Sequence, residues 1–263
     1  MPGNSMERAL ELMELLEAFP GGLRNAEISR RLDIPTSTTS YIVSRLEQRG
    51  YLQRDPETRR YQVGLRVVAL AHGALRELGF RAIAEPVLFR LAHDTGLSPG
   101  IGVIEGTHVL IVDRVEGREV SNRGNSAHGS DSRTREQRDI GRELPIHATA
   151  LGKVLVAYMD SEAREELLGK LEFERVTSKT IVSESRFRDE IEAARKQGYA
   201  RSVDEQYMGV RALCVPIRDA AGTVRAAVSL NGGTAEAVWR NEGALIEMAK
   251  IAATDISTRS RFV

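Results

Sequence analysis

Five consecutive hydroxyl side chains, Thr36, Ser37, Thr38, Thr39 and Ser40, are followed by Tyr41, Ser44 and Arg45. Short hydroxyls and an arginine on one rigid support are the groups that approach base edges and phosphate oxygens of duplex DNA. Residues 24–66 hold nine arginines (24, 30, 31, 45, 49, 54, 59, 60, 66) and five acids (27, 33, 47, 55, 57), a local excess of positive charge in a chain whose net charge is zero. Arginines grouped in this way neutralise phosphates and release counterions, which gives salt-dependent affinity for nucleic acid. The candidate DNA contacts are Arg24, Thr36, Ser37, Thr38, Ser40, Tyr41, Ser44, Arg45, Arg54, Arg59 and Arg60. A solvated basic face on a protein-interaction module is the alternative reading of the same residues.

The elements that must carry these groups follow from local pattern. Leu23 to Leu32 places Ile28 and Leu32 one helical turn apart, with Leu23 and Ala26 before them. Pro35 pushes Ile34 out of the α region and ends that helix. The hydroxyl run predicts the next helix start, because such residues cap free N–H groups. Ile42, Val43 and Leu46 form its inward stripe with Thr38 one turn before Ile42, and Thr36, Ser37, Ser40, Tyr41 and Ser44 face outward. Gly50 ends it. Residues 51–54 and 60–63 predict paired strands around the turn Asp55-Pro56-Glu57-Thr58. Helix, turn, helix and arginine-bearing hairpin make a winged helix-turn-helix, which sets its second helix in the major groove.

Composition limits the other functions. Hydrophobic residues make up 41% of the 263, and no apolar run approaches the ~20 residues that span a bilayer. The start lacks a basic segment followed by an apolar one, so no secretion signal is expected. Cys214 is the single cysteine, which rules out an internal disulfide and fits a reducing, cytoplasmic setting. The histidines at 72, 93, 108, 128 and 147 are scattered, so no metal site is expected, and no cofactor. No Gly-x-Ser-x-Gly elbow or phosphate loop occurs, and no catalytic residue is assigned.

Domain 1–64 is the DNA-binding module, 65–79 a linker helix and 80–263 a second domain. Before the hairpin module, Ser5 to Phe19 predicts a helix with a stripe of Met6, Ala9, Leu10, Met13, Leu16 and Phe19, widened by Leu12 and Leu15. That stripe exceeds what a three-helix unit covers. Either a second copy or the later helix takes the remainder. The linker presents Leu65, Val68, Ala69, Ala71, Leu75 and Leu78. A helix over 81–95 follows, then strands at 101–104 and 108–112. Residues 118–133 are polar and rich in glycine and serine, which predicts a mobile loop. Helices are expected at 147–159, 161–171 and 184–197, strands at 199–204, 211–218 and 223–230, and a closing helix at 236–259. The fold class is α+β, with helices beside an antiparallel sheet.

The N-terminal half contains Ala26-Glu27-Ile28, Ser37-Thr38 and Leu46-Glu47-x-x-Gly50-Tyr51. The C-terminal half contains Leu144-Pro145-x-His147-Ala148-Thr149-Ala150-Leu151-Gly152-Lys153, Thr177-x-x-Thr180-Ile181, Gly198-Tyr199-Ala200, Asp204-Glu205-x-x-x-Gly209-Val210-Arg211 and Val215-Pro216-Ile217. In this order and spacing, these motifs resemble the IclR family of bacterial transcription regulators. The resemblance implies a GAF-like effector domain and dimers or tetramers on operator DNA. It also implies a small organic effector, often a carboxylate or an aromatic catabolite. Carried onto this chain, it puts the effector against Ala150, Leu151, Ser202, Ala212, Ser229 and Asn231. His147 either binds the effector carboxylate, or caps the helix that starts there or hydrogen-bonds within the domain. Some relatives with small oxoacid effectors have aspartate where Ser202 stands and cysteine where Ala212 stands. The uncharged pair here implies a larger or less polar effector. Two rival functions stay in view. One is a GAF-domain enzyme on a small metabolite, though methionine-sulfoxide reduction would need paired thiols. The other is a constitutive regulator whose second domain only oligomerises.

Overall fold

Leu12 and Leu16, one turn apart on α1 (Ser5–Glu17), are buried at the centre of the N-terminal core. Ala9, Met13, Leu15 and Phe19 pack around them, so the inward face is centred on Leu12 rather than on Leu10. Met6 and Leu10 remain 71% and 59% exposed. Two short helices complete the module, α2 (Asn25–Arg31) and α3 (Thr36–Gln48), contributing Ile28, Ile42 and Val43 to the same core. Each such side chain contributes roughly 1.5–3 kcal/mol on full burial. The turn between them passes through Asp33 in the left-handed region (φ 51°), a conformation aspartate tolerates better than most residues. Strands β1 (Leu52–Arg54) and β2 (Tyr61–Val63) pair antiparallel, and Leu23 bridges to Tyr61 as a third short rung.

The computed structural model describes residues 5–77, 81–117, 140–235 and 237–259. It divides the chain into two compact units, Met1–Glu77 and Leu78–Val263, so α4 (Arg66–Glu77) groups with the first unit. Leu65, Val68 and Leu70, at and beside the start of α4, are 79%, 62% and 52% exposed. The polar stretch 118–133 lies outside the described residues.

The second unit is built on six antiparallel strands, β3 (Ser98–Glu105), β4 (His108–Arg114), β5 (Glu143–Pro145), β6 (Ala200–Val203), β7 (Val210–Arg218) and β8 (Val224–Gly233). Their order across the sheet is β5-β4-β3-β8-β7-β6. Sequence patterning missed β5, a three-residue edge strand too short to show alternation. One sheet face carries α5 (Arg81–Thr95) and α9 (Glu242–Arg259). The other carries α6 (Ala150–Ala157) and, beyond it, α8 (Glu184–Gln197), with α7 (Ser161–Leu168) in the same core. The helix expected from 147 is a 3-10 turn, Ile146–Ala148, followed by α6. Thr149 caps α6 by accepting from the Gly152 N–H at 3.1 Å. Gly152 has to be glycine, since a Cβ there would stand 2.1 Å from the Ile146 carbonyl oxygen. The closing helix likewise begins as a 3-10 turn, Ala237–Asn241.

Candidate DNA interface and effector site

Helix α3 does not use its hydroxyls as caps. Its N-cap residue is Pro35, which makes no side-chain cap bond. Thr39 and Ser40 instead donate back to the carbonyls of Pro35 and Thr36, at 3.2 and 2.8 Å, as mid-helix hydroxyls do. Thr39, not Thr38, is the buried member of the inward stripe, and Thr38 is half-buried. Asn25 donates to the Ser40 hydroxyl at 2.6 Å, and the Ser29 and Thr36 hydroxyls lie 3.2 Å apart. Thr36 and Ser40 therefore tie α2 to α3. The remaining exposed stripe is Ser37, Tyr41, Ser44 and Arg45. The Arg45 guanidinium lies 5.4 Å from the Tyr41 ring centroid.

The arginines of the module divide the same way. Arg60 donates to the Gly22 carbonyl at 2.7 Å and pairs with Glu27 at 3.3 Å, so it braces the hairpin against α2. Of the candidate DNA-contacting arginines, all among the described residues, Arg60 is thus the one whose side chain has two internal partners. Glu27 also accepts from the Arg24 N–H at 2.7 Å, and this bond first, with Arg60 and other cations, holds its carboxyl below the usual glutamate range. Arg24 is exposed and donates through Nε to the Thr58 carbonyl at 3.1 Å, and the Arg54 guanidinium lies 5.2 Å from the Tyr61 ring centroid. Arg59 is exposed at the hairpin turn with φ 59°. Asp55 organises that turn, accepting from the Thr58 and Glu57 N–H groups at 2.6 and 3.0 Å. The Thr58 N–H and hydroxyl hold its carboxyl below the ordinary aspartate value.

In the second unit, strand register puts Ser202, Ala212, Asn231 and Ser98 in one row, and Cys214, Ser229 and Gly100 in the next, all on the face that carries α6. Leu151 approaches that face over Gly102, where an added Cβ would come within 3.1 Å of its Cδ1. Ala150 is buried in the same core. The polar groups of the face are engaged with one another. Ser202 donates to the Ala148 carbonyl at 3.3 Å and Ser229 to the Gly100 carbonyl at 3.3 Å. Asn231 donates to the Ser98 carbonyl at 3.1 Å and to the Ser229 hydroxyl at 2.9 Å. Cys214 is fully buried beside them, and burial pushes its thiol pKa well up.

Two domain models match, the "IclR helix-turn-helix domain" over residues 5–56 and the "Bacterial transcriptional regulator IclR C-terminal" domain over 72–258. The chain belongs to the IclR family of bacterial transcriptional regulators. As an IclR-family regulator it carries a DNA-binding helix-turn-helix and a C-terminal effector-binding domain. It is 30% identical to the HTH-type transcriptional regulator XynR of Escherichia coli K12, over 86% of this chain and 85% of that one. It is 31% identical to the glycerol operon regulatory protein of Streptomyces coelicolor, over 87% and 84%. Its fold matches an IclR homolog from Microbacterium hydrocarbonoxydans complexed with 4-hydroxybenzoate, with a TM-score of 0.80, 25% identity and coverage of 99% and 100%.

The IclR-family fold brings Ala150, Leu151, Ser202, Ala212, Ser229 and Asn231 together, and it leaves His147 out. His147 is buried with Nε2 2.9 Å from the Glu174 carbonyl oxygen and its ring 5.3 Å from Phe173. It hydrogen-bonds within the domain, as one of the readings of His147 expected, and holds the 173–174 segment, while Thr149 caps α6. Sequence reasoning assigned no role to Lys153, whose side chain is 1% exposed. It donates to Glu205 at 2.8 Å, to Glu190 at 3.0 Å and to the Arg201 carbonyl at 3.0 Å. Burial raises the Glu205 pKa, against the opposing pull of Lys153. This clamp joins α6, α8, β6 and the loop after β6, from a position two residues past Leu151 on α6. Among the described residues, no group of three or more His, Cys, Asp or Glu side chains could hold a metal ion. No helix among them is long and apolar enough to cross a membrane.

Proposed function

We propose that this chain is a ligand-responsive regulator that binds a roughly palindromic operator as a homodimer or homotetramer, under control of a small organic effector. The single observation that carries the DNA half is the outward stripe of α3, where Ser37, Tyr41, Ser44 and Arg45 stand clear of the module's own packing. The exposed Arg59 and Arg54 on the neighbouring hairpin supply phosphate contacts. Exposed Met6 and Leu10 on α1, with Leu65 and Val68 at the start of α4, support pairing of two copies, which sets two recognition helices on two half-sites.

The effector reading rests on the polar face under α6. Its groups are small and uncharged at Ser202 and Ala212, which favours an aromatic or larger carboxylate over a small oxoacid. The 4-hydroxybenzoate complex of the structurally similar homolog supports that class. The name of the glycerol operon relative supports control of a catabolic operon. Gel shifts with DNA upstream of its own gene test the DNA half. Retention of that fragment over unrelated duplex, declining steeply with salt, is expected, and equal weak binding to both contradicts it. Calorimetric titration tests the effector half. Binding of 4-hydroxybenzoate without binding of glyoxylate or pyruvate is expected, and tight glyoxylate binding contradicts it.

A further inference from the structure

The stripe on α3 is chemically uneven. Ser37 and Ser44 carry hydroxyls that both donate and accept, so they fit either base of a pair. Tyr41 offers an aromatic face and one hydroxyl. Arg45 is the single arginine in Thr36–Gln48, and its guanidinium is a planar, donor-only fork. Arg24 and Arg60 are held by oxygen acceptors, the Thr58 carbonyl and the Gly22 carbonyl with Glu27; Arg31 and Arg54, like Arg45, stand over an aromatic ring, but only Arg45 does so on α3. Arg45 has no hydrogen bond or ion pair among the described residues, and its only recorded partner is the Tyr41 ring at 5.4 Å. A cation–π contact at this distance holds the guanidinium beside the ring and uses none of its N–H donors. Tyr41 itself is 58% exposed, so the pair stands on the surface and is not part of the core.

We propose that Arg45 reads a guanine in each operator half-site through paired hydrogen bonds to O6 and N7, and that Tyr41 is the positioning residue that holds its guanidinium for that contact. Adenine presents a donor where guanine presents O6, so a donor-only fork rejects it. Longer reach matters too. Arg45 extends beyond Ser37 and Ser44, and Thr36 and Ser40 are already bonded to α2 and to the helix backbone. The inference rests on the DNA-binding reading above and adds which base is read and by which pair.

Binding selection from a pool of duplexes with a randomised core, using the full-length chain, tests it. The parent is expected to recover a motif with a guanine favoured about ten- to a hundredfold at one position of each half-site. Arg45→Ala should lose the preference at that position and keep the others. Tyr41→Ala should weaken the same preference, and Tyr41→Phe, which keeps the ring, should retain it. An unchanged motif from Arg45→Ala overturns the guanine contact. Equal effects of Tyr41→Ala and Tyr41→Phe overturn the positioning role. A parent that binds no duplex overturns the DNA-binding reading itself and this inference with it. All three changes are at exposed sites, and matched thermal melting of the variants separates recognition from folding.

Discussion

The outer face of α3 and the inner face beneath α6 use similar side chains in opposite ways. On α3, the Ser37 hydroxyl and the Arg45 fork point outward, with no hydrogen bond from the chain itself among the described residues. Under α6, Ser202, Ser229 and Asn231 are turned onto nearby carbonyls and one another. The first face would meet the proposed DNA partner without giving up internal hydrogen bonds at Ser37 or Arg45. On the second, a ligand bound as proposed would have to exchange these internal hydrogen bonds for its own contacts, which is a change of state. A ligand acts through such a change only if it favours one state over the other. The contrast teaches that recognition and response are built from different local designs.

The contrast can be broken most severely from inside. Lys153→Met removes the ammonium between Glu190 and Glu205 and leaves Glu205 buried without it. The expected loss of stability is about 3–5 kcal/mol, read as a lower urea midpoint. A loss below about 1 kcal/mol, the scale of an exposed pair, would mean the inner network does not hold the second unit. From outside, Ser37→Ala should leave the melting temperature unchanged and weaken operator binding several-fold, at the scale of one hydrogen bond of about 1 kcal/mol. A fall in melting temperature instead would place Ser37 in the packing. A smaller effect comes from Arg59→Ala, which should weaken binding to all duplexes alike and reduce the salt slope by about one. Sequence-dependent loss would make Arg59 a base reader.

The smallest effect concerns acid. Thr58 holds Asp55 below the ordinary aspartate value, so the folded carboxyl has the depressed pKa. Its contribution to the hairpin turn is therefore present above the unfolded-chain value and lost as pH falls through the folded one. Following the Thr58 amide by NMR should give a midpoint below that of a free aspartate. A midpoint at or above it would remove Asp55 from the turn.

Local features were readable from sequence because they depend on near neighbours. The breaks at Pro35 and Gly50 and the turn around Asp55 follow from side-chain and backbone chemistry within a few residues. Alternation alone puts Ser229 and Asn231 on one face of their strand. What escaped depends on distant partners. Lys153 stands in an apolar run, Ala150-Leu151-Gly152-Lys153-Val154-Leu155, and its acceptors come from 37, 48 and 52 residues further along. A lone lysine surrounded by core residues was the available signal. Arg60 looked open because its acceptor at Gly22 is 38 residues earlier. Thr38 and Thr39 differ by one helical step, and only the angle at which α3 lands on α1 and α2 decides which is buried.

Cys214 has one further consequence. It is the single sulfhydryl of the chain, sealed in the central strands of the second unit and kept protonated by its surroundings. Alkylating reagents need an accessible thiolate, so modification has to wait for that unit to open. The rate at which one adduct accumulates is then a built-in clock for opening of the effector domain. A ligand that favours the closed arrangement should slow that clock without touching the sulfur.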